Sequence, residues 1–481
     1  MTHAELIDSP AAGVRVVDYG SSPMWAAGDD GRPPVGAPSD DSRRGSWWYF
    51  WTWLVTPHIE FGAVYVGMIV VLFLDMSLVQ AVLGIFLGTA FGAISHGILT
   101  ARGVQLKVPQ IVLGRLAFGA RGNLILTTIM AVISSVGWFI VNSVVAALAL
   151  NSLFGVPTVG ALAIVVVIQL LLSEVRVKFV VVQRYVYPVL TVILVVAGVI
   201  SFTKVDPSAV PGSPWNLNGL IAVVVVACLA WAYTIGWNPY ATDYSREAPN
   251  TTPKMAGLCA AAGLFCATMF LMCVGAVAGI VVDQTGQAGE TNPTTQFTSF
   301  LPDWLGVLVL LALIVGSWTA NSITLKSAHN RFGDNPLGLG SVCARLLAPI
   351  LISLAAFFLG WASLTDIPAN FEGFVMVIGV WVAPWLNVSL IDYLLRRKDS
   401  DPTPLLYQPT VTNKWGLISV AFAIVASVLI YGIQIVDGGR LPHGGVSYAS
   451  LAMLAGFYLS AVIYSTGMKH VFKRKEAAST A

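Results

Sequence analysis

Read for apolar and polar positions, the chain repeats one figure: about 20 apolar residues, a short interval bearing charge, Gly or Pro, then another apolar run. At 1.5 Å of rise per residue, each run is long enough to cross a bilayer as a helix. Twelve such spans are predicted near 50–73, 77–101, 122–149, 156–174, 181–202, 219–243, 254–281, 304–326, 338–361, 372–394, 415–435 and 448–468. The first and sixth are the least regular. Residues 1–47 fall outside the figure; they are polar, rich in Gly, Pro and Asp, and read as a disordered tail with no cleavable leader pattern. The rest divides into ten helices over 48–397, a loop over 398–414, two further helices over 415–468 and a basic tail over 469–481.

Composition excludes a water-soluble globule. Of 481 residues, 56% are hydrophobic and 10% charged, against about 25% charged in a soluble domain. The net charge of +2 says little, but its placement says more. With the N-terminus inside, 24 of the 26 Lys and Arg fall in cytoplasmic intervals, and only Lys204 and Arg440 lie outside. That alternation predicts a multi-pass protein of the cell membrane with both termini cytoplasmic. The five cysteines lie in or beside spans and offer no disulfide framework; Cys259, Cys266 and Cys273 recur every seven residues, as small residues on a packing face would. Gly84, Gly88 and Gly92 form a stripe that predicts close helix packing. No metal-ligand spacing, phosphate-binding loop or nucleophile elbow is present, so no cofactor is called for, and nothing suggests a nucleic-acid surface.

Two spans break the rule that backbone in lipid must be regular. The first contains Thr56-Pro57-His58-Ile59-Glu60-Phe61-Gly62, and the sixth contains Gly236-Trp237-Asn238-Pro239. Interruptions at matching positions of two halves point to a binding site near the bilayer midplane. The sixth span is five after the first, so spans 1–5 and 6–10 would be repeats of opposite orientation, with two helices appended. This rests on the breaks, since the halves show no similarity by eye.

The third span reads Ser134-Ser-Val-Gly-Trp138-Phe-Ile-Val-Asn142-Ser143. Trp138 and Asn142 are four apart and share a helical face. An aromatic plane one turn from a carboxamide suits a flat heterocycle with polar edges, and Trp237 could cover its other face. The competing reading makes Trp138 a packing residue and Asn142 an interhelical hydrogen bond.

Four segments carry a resemblance: GWNPYATDYSRE (236–247), GWFIVNS (137–143), VPQIVLGRLAFGARG (108–122) and FEGFVMVIGVWVAPWLNVSLIDYLLRR (371–397). They resemble the nucleobase:cation symporter-1 family, within it the purine–cytosine permease branch, over nearly all of residues 48–470. The resemblance implies an all-α, five-plus-five inverted repeat of the LeuT kind, with helices 1 and 6 broken around the substrate. It implies a symporter that imports a cytosine- or purine-type base with H⁺ or Na⁺ by alternating access. Trp138 and Trp237 would stack on the base, Asn142 would bond its edge, and Gly236 would lend backbone groups. Arg115, Phe118 and Gly119 would belong to a structural loop. In span eight the branch shows A-N-x-x-N-x-Y-S; here Asn321 keeps the first amide, while Thr324 and Lys326 replace the second and the Tyr. His58 and Glu60 also depart from the branch. Allantoin, hydantoins, uracil, thiamine and pyridoxine therefore stay open as substrates.

Glu60 and His58 are ionisable groups inside a span, which makes them functional candidates. Burial favours a neutral carboxyl and suits a proton carrier. A Na⁺ site would need hydroxyls such as Thr319, beside which Trp318 replaces a second one. Glu60 could equally serve only to bond His58 or a freed backbone N–H. Asp243 and Arg246, at i and i+3, would pair near the inner mouth as a gate or cap. An ion channel would need a polar pore lining, and a membrane enzyme a catalytic set at one depth; neither pattern is evident. The expected partners are a small heterocycle and the lipid bilayer.

Overall fold

The computed structural model describes residues 46–56, 60–73, 76–108, 110–173, 185–206, 215–242, 245, 251–332, 341–396, 406, 413–436 and 448–480. The first expected span is two helices, α1 (Ser46–Val55) and α2 (Gly62–Leu72). The second is α3 (Leu78–Leu106), opened by the Ser77 hydroxyl, which accepts from Gln80 N at 3.3 Å, and closed by Lys107 at φ 56°. A short α4 (Gln110–Leu113) leads into α5 (Arg115–Phe154). This begins before the expected residue 122 because Gly119, at φ 69° and ψ 169°, turns the chain and leaves a short helical segment ahead of the long one.

Then follow α6 (Thr158–Ser173), α7 (Tyr187–Lys204) and α8 (Leu217–Ile235), the last succeeded by a 3-10 turn at Asn238–Tyr240. After it come α9 (Pro253–Gln284), α10 (Pro293–Thr298), α11 (Asp303–Phe332), α12 (Ser341–Ser363) and α13 (Ile367–Leu395). The chain closes with α14 (Lys414–Val436) and α15 (Tyr448–Thr480). Among the described residues, nine helices are long and apolar enough to cross a membrane, and Gly62–Leu72, Thr158–Leu171 and Pro349–Ser363 are shorter apolar ones. Large apolar side chains such as Phe422, Val425 and Leu429 on α14 are more than half exposed. In water such a face would aggregate; against lipid it is at home.

Contacts between helices are closest where side chains are missing. The Gly84, Gly88 and Gly92 stripe of α3 lies on α8: a Cβ on Gly84 would sit 2.6 Å from the Val226 side chain, and one on Gly88 would sit 2.7 Å from Trp231 N. α9 meets both halves of the broken first span. A Cβ on Gly263 would collide with the Phe50 carbonyl of α1, and one on Gly275 with the Val64 carbonyl of α2. The cysteine repeat of α9 does not form this face: Cys259 and Cys273 are half-buried and Cys266 is exposed. Seven residues fall about 20° short of two 3.6-residue turns, and here the row runs along the flank while glycines make the seam.

Near the far end of α13, Asp392 pairs with Arg396 at 2.8 Å and accepts from the Tyr464 hydroxyl of α15 at 2.6 Å. Asn413, ahead of α14, donates to Tyr464 Oη at 3.1 Å and to the Ala117 carbonyl at 2.8 Å. This ties α14 and α15 to α13 and to the turn at Gly119. Arg115 donates to the Leu406 carbonyl at 3.0 Å, and Phe118 is fully buried.

Candidate functional site

The first break places a carboxyl in the interior. Thr56 closes the first half by donating to the Thr52 carbonyl at 2.6 Å. Glu60 is 6% exposed, and among the described residues its partner is the Tyr233 hydroxyl of α8, at 3.3 Å. A buried acidic group without strong pairing is costly. Its expected companion His58 lies outside the described residues.

The second break is a tight turn. Gly236 N donates to the Tyr233 carbonyl at 3.1 Å and Trp237 N to the Thr234 carbonyl at 3.3 Å, so the α-helical pattern tightens before Pro239 removes a donor. A Cβ on Gly236 would lie 3.4 Å from Trp138 Cζ2 and 3.0 Å from the Tyr233 carbonyl. Asn238 is fully buried; its Nδ2 donates to Ser95 Oγ at 2.7 Å, and its Oδ1 lies 3.2 Å from His96 Nδ1. An amide oxygen only accepts, so His96 carries its proton on Nδ1 in this contact. The break is thereby fastened to α3. Neither His96 nor Asn238 was expected from the sequence, although a histidine inside an apolar span is the signal that could have found the pair.

The aromatic residues form two groups. Trp138 is 7% exposed and stands edge-on to Tyr233 (5.5 Å, 89°) and to Phe374 of α13 (5.3 Å, 90°). Trp237 is half-buried and edge-on to Trp53 of α1 (5.7 Å, 77°), which in turn packs on His96. The two indoles thus flank the Gly236 turn from different neighbourhoods instead of facing each other. Phe371 of α13 meets Tyr65 of α2 at 5.1 Å, and Phe297 of α10 meets Phe61 at 5.6 Å. Tyr233, Phe371 and Phe374 were also missed, because aromatic residues inside apolar spans look like any other packing residue.

Asn142 and Asn321 are brought together. Asn142 Nδ2 donates to Asn321 Oδ1 at 3.1 Å, and Asn321 Nδ2 is shared among the Phe139 carbonyl, Ser143 Oγ and Gln169 Oε1. Thr319, 5% exposed, donates its hydroxyl to the Gly316 carbonyl at 2.8 Å, leaving its lone pairs for another partner. Thr324 lies in α11, its side chain outside the description, and Asp243 and Arg246 lie outside the described residues. The junction of α1, α2, α5, α8 and α13 therefore offers an aromatic wall, an amide pair one turn away, tight-turn backbone and a buried carboxyl. That set can hold a small planar molecule with polar edges and carry a charge change beside it.

Comparison with known proteins bears on this arrangement. Residues 38–454 match the pattern of a family described as permeases for cytosine/purines, uracil, thiamine and allantoin. YxlA of Bacillus subtilis (strain 168), named as a purine–cytosine permease, is 22% identical over 425 residues, 84% of this chain and 88% of that protein. Among solved structures, the inward-facing conformation of Mhp1 aligns with TM-score 0.68 at 16% identity, over 89% of this chain and 91% of Mhp1. Mhp1, a nucleobase-cation-symport-1 family transporter, also aligns in a closed conformation with bromovinylhydantoin bound, with TM-score 0.63 at 17% identity over 92% and 96% of the two chains. A Na⁺-coupled sialic acid symporter in a substrate-bound outward-open state aligns with TM-score 0.56 at 12% identity, over 88% and 90%.

Proposed function

The chain belongs to the family of permeases for cytosine/purines, uracil, thiamine and allantoin, within the nucleobase-cation-symport-1 transporters, and from that premise we propose that it imports a nucleobase of the cytosine or purine type together with a proton. The observation that carries this reading is the pairing of Trp138 with Asn142 beside the Gly236 turn, where α5 meets the broken α8. The indole supplies a face for the ring, the amide reads its edge, and the turn exposes backbone groups to it. Trp237 covers the ring's other side once the substrate enters. Spans 1–5 and 6–10 act as inverted repeats that alternate access around this point.

Glu60 is the proton carrier in this reading. It sits in the first break, facing Tyr233 on the helix that bears the second, so a change in its charge is felt by both interrupted spans. Thr319 marks where a sodium ion would instead be held. Asp243 and Arg246, three apart in the sequence, would pair as an inner gate or a helix cap in this reading; swapping their charges together would restore part of what either single reversal loses.

Uptake of radiolabelled cytosine in cells lacking their own carrier tests the proposal, with adenine, guanine, hypoxanthine, uracil, allantoin and thiamine as competitors. Accumulation blocked by purines supports it, and no uptake by correctly inserted protein overturns the choice of base. A strict Na⁺ requirement at fixed pH, with Glu60→Gln still accumulating substrate, overturns proton coupling. One observation favours a second reading, another flat heterocycle: Thr324 stands where the permease branch has an amide. Competition by allantoin or hydantoins alone would select it.

A further inference from the structure

The polar cluster behind Trp138 is organised by one atom that can only accept. Asn321 Nδ2 lies 3.1 Å from the Phe139 carbonyl, 3.1 Å from Ser143 Oγ and 2.8 Å from Gln169 Oε1. A backbone carbonyl has no hydrogen to give, so the Asn321 atom turned toward it is the nitrogen. Gln169 must then turn its oxygen to that nitrogen, and the same oxygen lies 2.8 Å from the Ser143 hydroxyl, whose single hydrogen is shared with the Phe139 carbonyl at 2.7 Å. The Asn321 oxygen is left facing Asn142, whose Nδ2 donates to it at 3.1 Å. One amide hydrogen of Asn142 is thereby committed, while Asn142 Oδ1 has no partner among the described residues. Asn142, Ser143, Gln169 and Asn321 are all buried, so bulk water does not offer the amides an alternative partner.

Gln169 stands on α6, behind α5, and its hydrogen bonds run to Ser143 and Asn321. It acts through them. Resting on the nucleobase reading above, we infer that Gln169 is a positioning residue for specificity: with the Phe139 carbonyl it holds the Asn321–Asn142 amide pair in one polarity, and so it helps set which order of donor and acceptor is read on the edge of the base. A primary amide reversed end for end swaps its acceptor for its donor without changing shape. Loss of the Gln169 oxygen removes the shortest of the three contacts that hold the Asn321 nitrogen in place.

Cytosine and uracil are the probe for amide polarity. They have nearly the same shape and present opposite orders along one edge: ring acceptor then amino donor in cytosine, ring N–H then carbonyl in uracil. The experiment compares the apparent affinities of the two bases in wild type, Gln169→Met and Gln169→Glu, each normalised to the amount at the cell surface. Methionine keeps the length of glutamine and removes the acceptor, whereas glutamate keeps an oxygen at the same reach. The expected result is that the cytosine-to-uracil affinity ratio moves toward unity by about tenfold in Gln169→Met, the scale of one buried hydrogen bond. Gln169→Glu is expected to retain most of the wild-type ratio, a rescue that a role in packing alone would not give. An unchanged ratio in Gln169→Met overturns the inference and leaves the nucleobase reading standing. Equal affinity of the wild type for the two bases also overturns it, because then no amide order is read. A wild type that binds neither base, nor any purine, removes the nucleobase reading and this inference with it. Should Gln169→Met not reach the membrane, Ser143→Ala loosens the same lock from α5; a ratio equal to wild type there is again a refutation.

Discussion

Alanine at Gly88 adds one methyl group between α3 and α8. The new Cβ would stand 2.7 Å from Trp231 N and 2.8 Å from Ala230 Cβ, and would collide with the Ala227 carbonyl. Two of these three are backbone atoms, which retreat only if α8 moves as a whole. The cost therefore belongs at the upper end of the range for overpacking, about 2–3 kcal/mol. Gly432 on α14 supplies the control, because nothing lies within 4 Å of its Cβ position. Alanine there gains up to about 1 kcal/mol of helix propensity. The propensity gain is common to both helices and cancels, so the variants should differ by the overpacking cost, about 2–3 kcal/mol, roughly two decades in a folding equilibrium. Thermal melting of the purified proteins in detergent, followed by size-exclusion chromatography, reads the difference. Substrate KM gives a second readout, since α8 leads directly into the Gly236 turn. Gly88→Ala that melts with the wild type and binds substrate normally would refute the close approach.

Trp138→Ala should raise KM by about 5- to 150-fold, the equivalent of about 1–3 kcal/mol of stacking, with Trp138→Phe recovering part of it; uptake kinetics at matched surface level check this. His96→Phe keeps a ring against Trp53 but orphans the Asn238 oxygen, which should cost about 1–3 kcal/mol of stability. His96→Asn retains a donor at the reach of Nδ1 and should recover part of the loss in the same melt; equal losses would exclude the hydrogen bond as the cause. Tyr464→Phe removes the hydroxyl that donates to Asp392 at 2.6 Å, and should cost about 1.5–3 kcal/mol of stability while leaving competition among substrates unchanged. A shifted competition profile would show that the α13–α15 tie reaches the site.

The lines of apolar residues made the helices legible, because a bilayer forces each span to satisfy its own backbone. The breaks at Glu60 and Gly236 were legible for the same reason, as departures from an otherwise strict pattern. Gly84, Gly88 and Gly92 could be read as a packing stripe because their spacing of four puts them on one face. The partner of that stripe could not be read, nor could the distant partners of the buried polar residues. His96 finds Asn238 142 residues away, and Asn321 finds Gln169 152 residues away. Such pairings are set by tertiary packing, on which local sequence is silent. The short α10, PTTQFT, escaped notice because it is too short and polar to register as an apolar run, although it carries the fully buried Phe297. Trp138 and Trp237 were each placed beside the Gly236 turn, but their separate neighbourhoods depend on Trp53 and Phe374, whose positions only the fold supplies.

The glycine contacts of α9 have a mechanical meaning. Gly263 lies on the first half of the interrupted span, and Gly275 and Gly279 on the second, so one continuous helix is clamped across a fracture. A bone set with a plate no longer bends where it is broken. Held on both sides of that fracture, span 1 should travel together with α9. The second fracture has a plate of its own in α3, whose Gly84, Gly88 and Gly92 press on α8 before the break and whose Gly103 presses on Thr242 and Ser245 beyond it, with the side chain of Asn238 pinned between them. Each fracture is thus bridged by one continuous helix, α9 across the first and α3 across the second, and spin labels or engineered crosslinks should find each broken span moving with its plate.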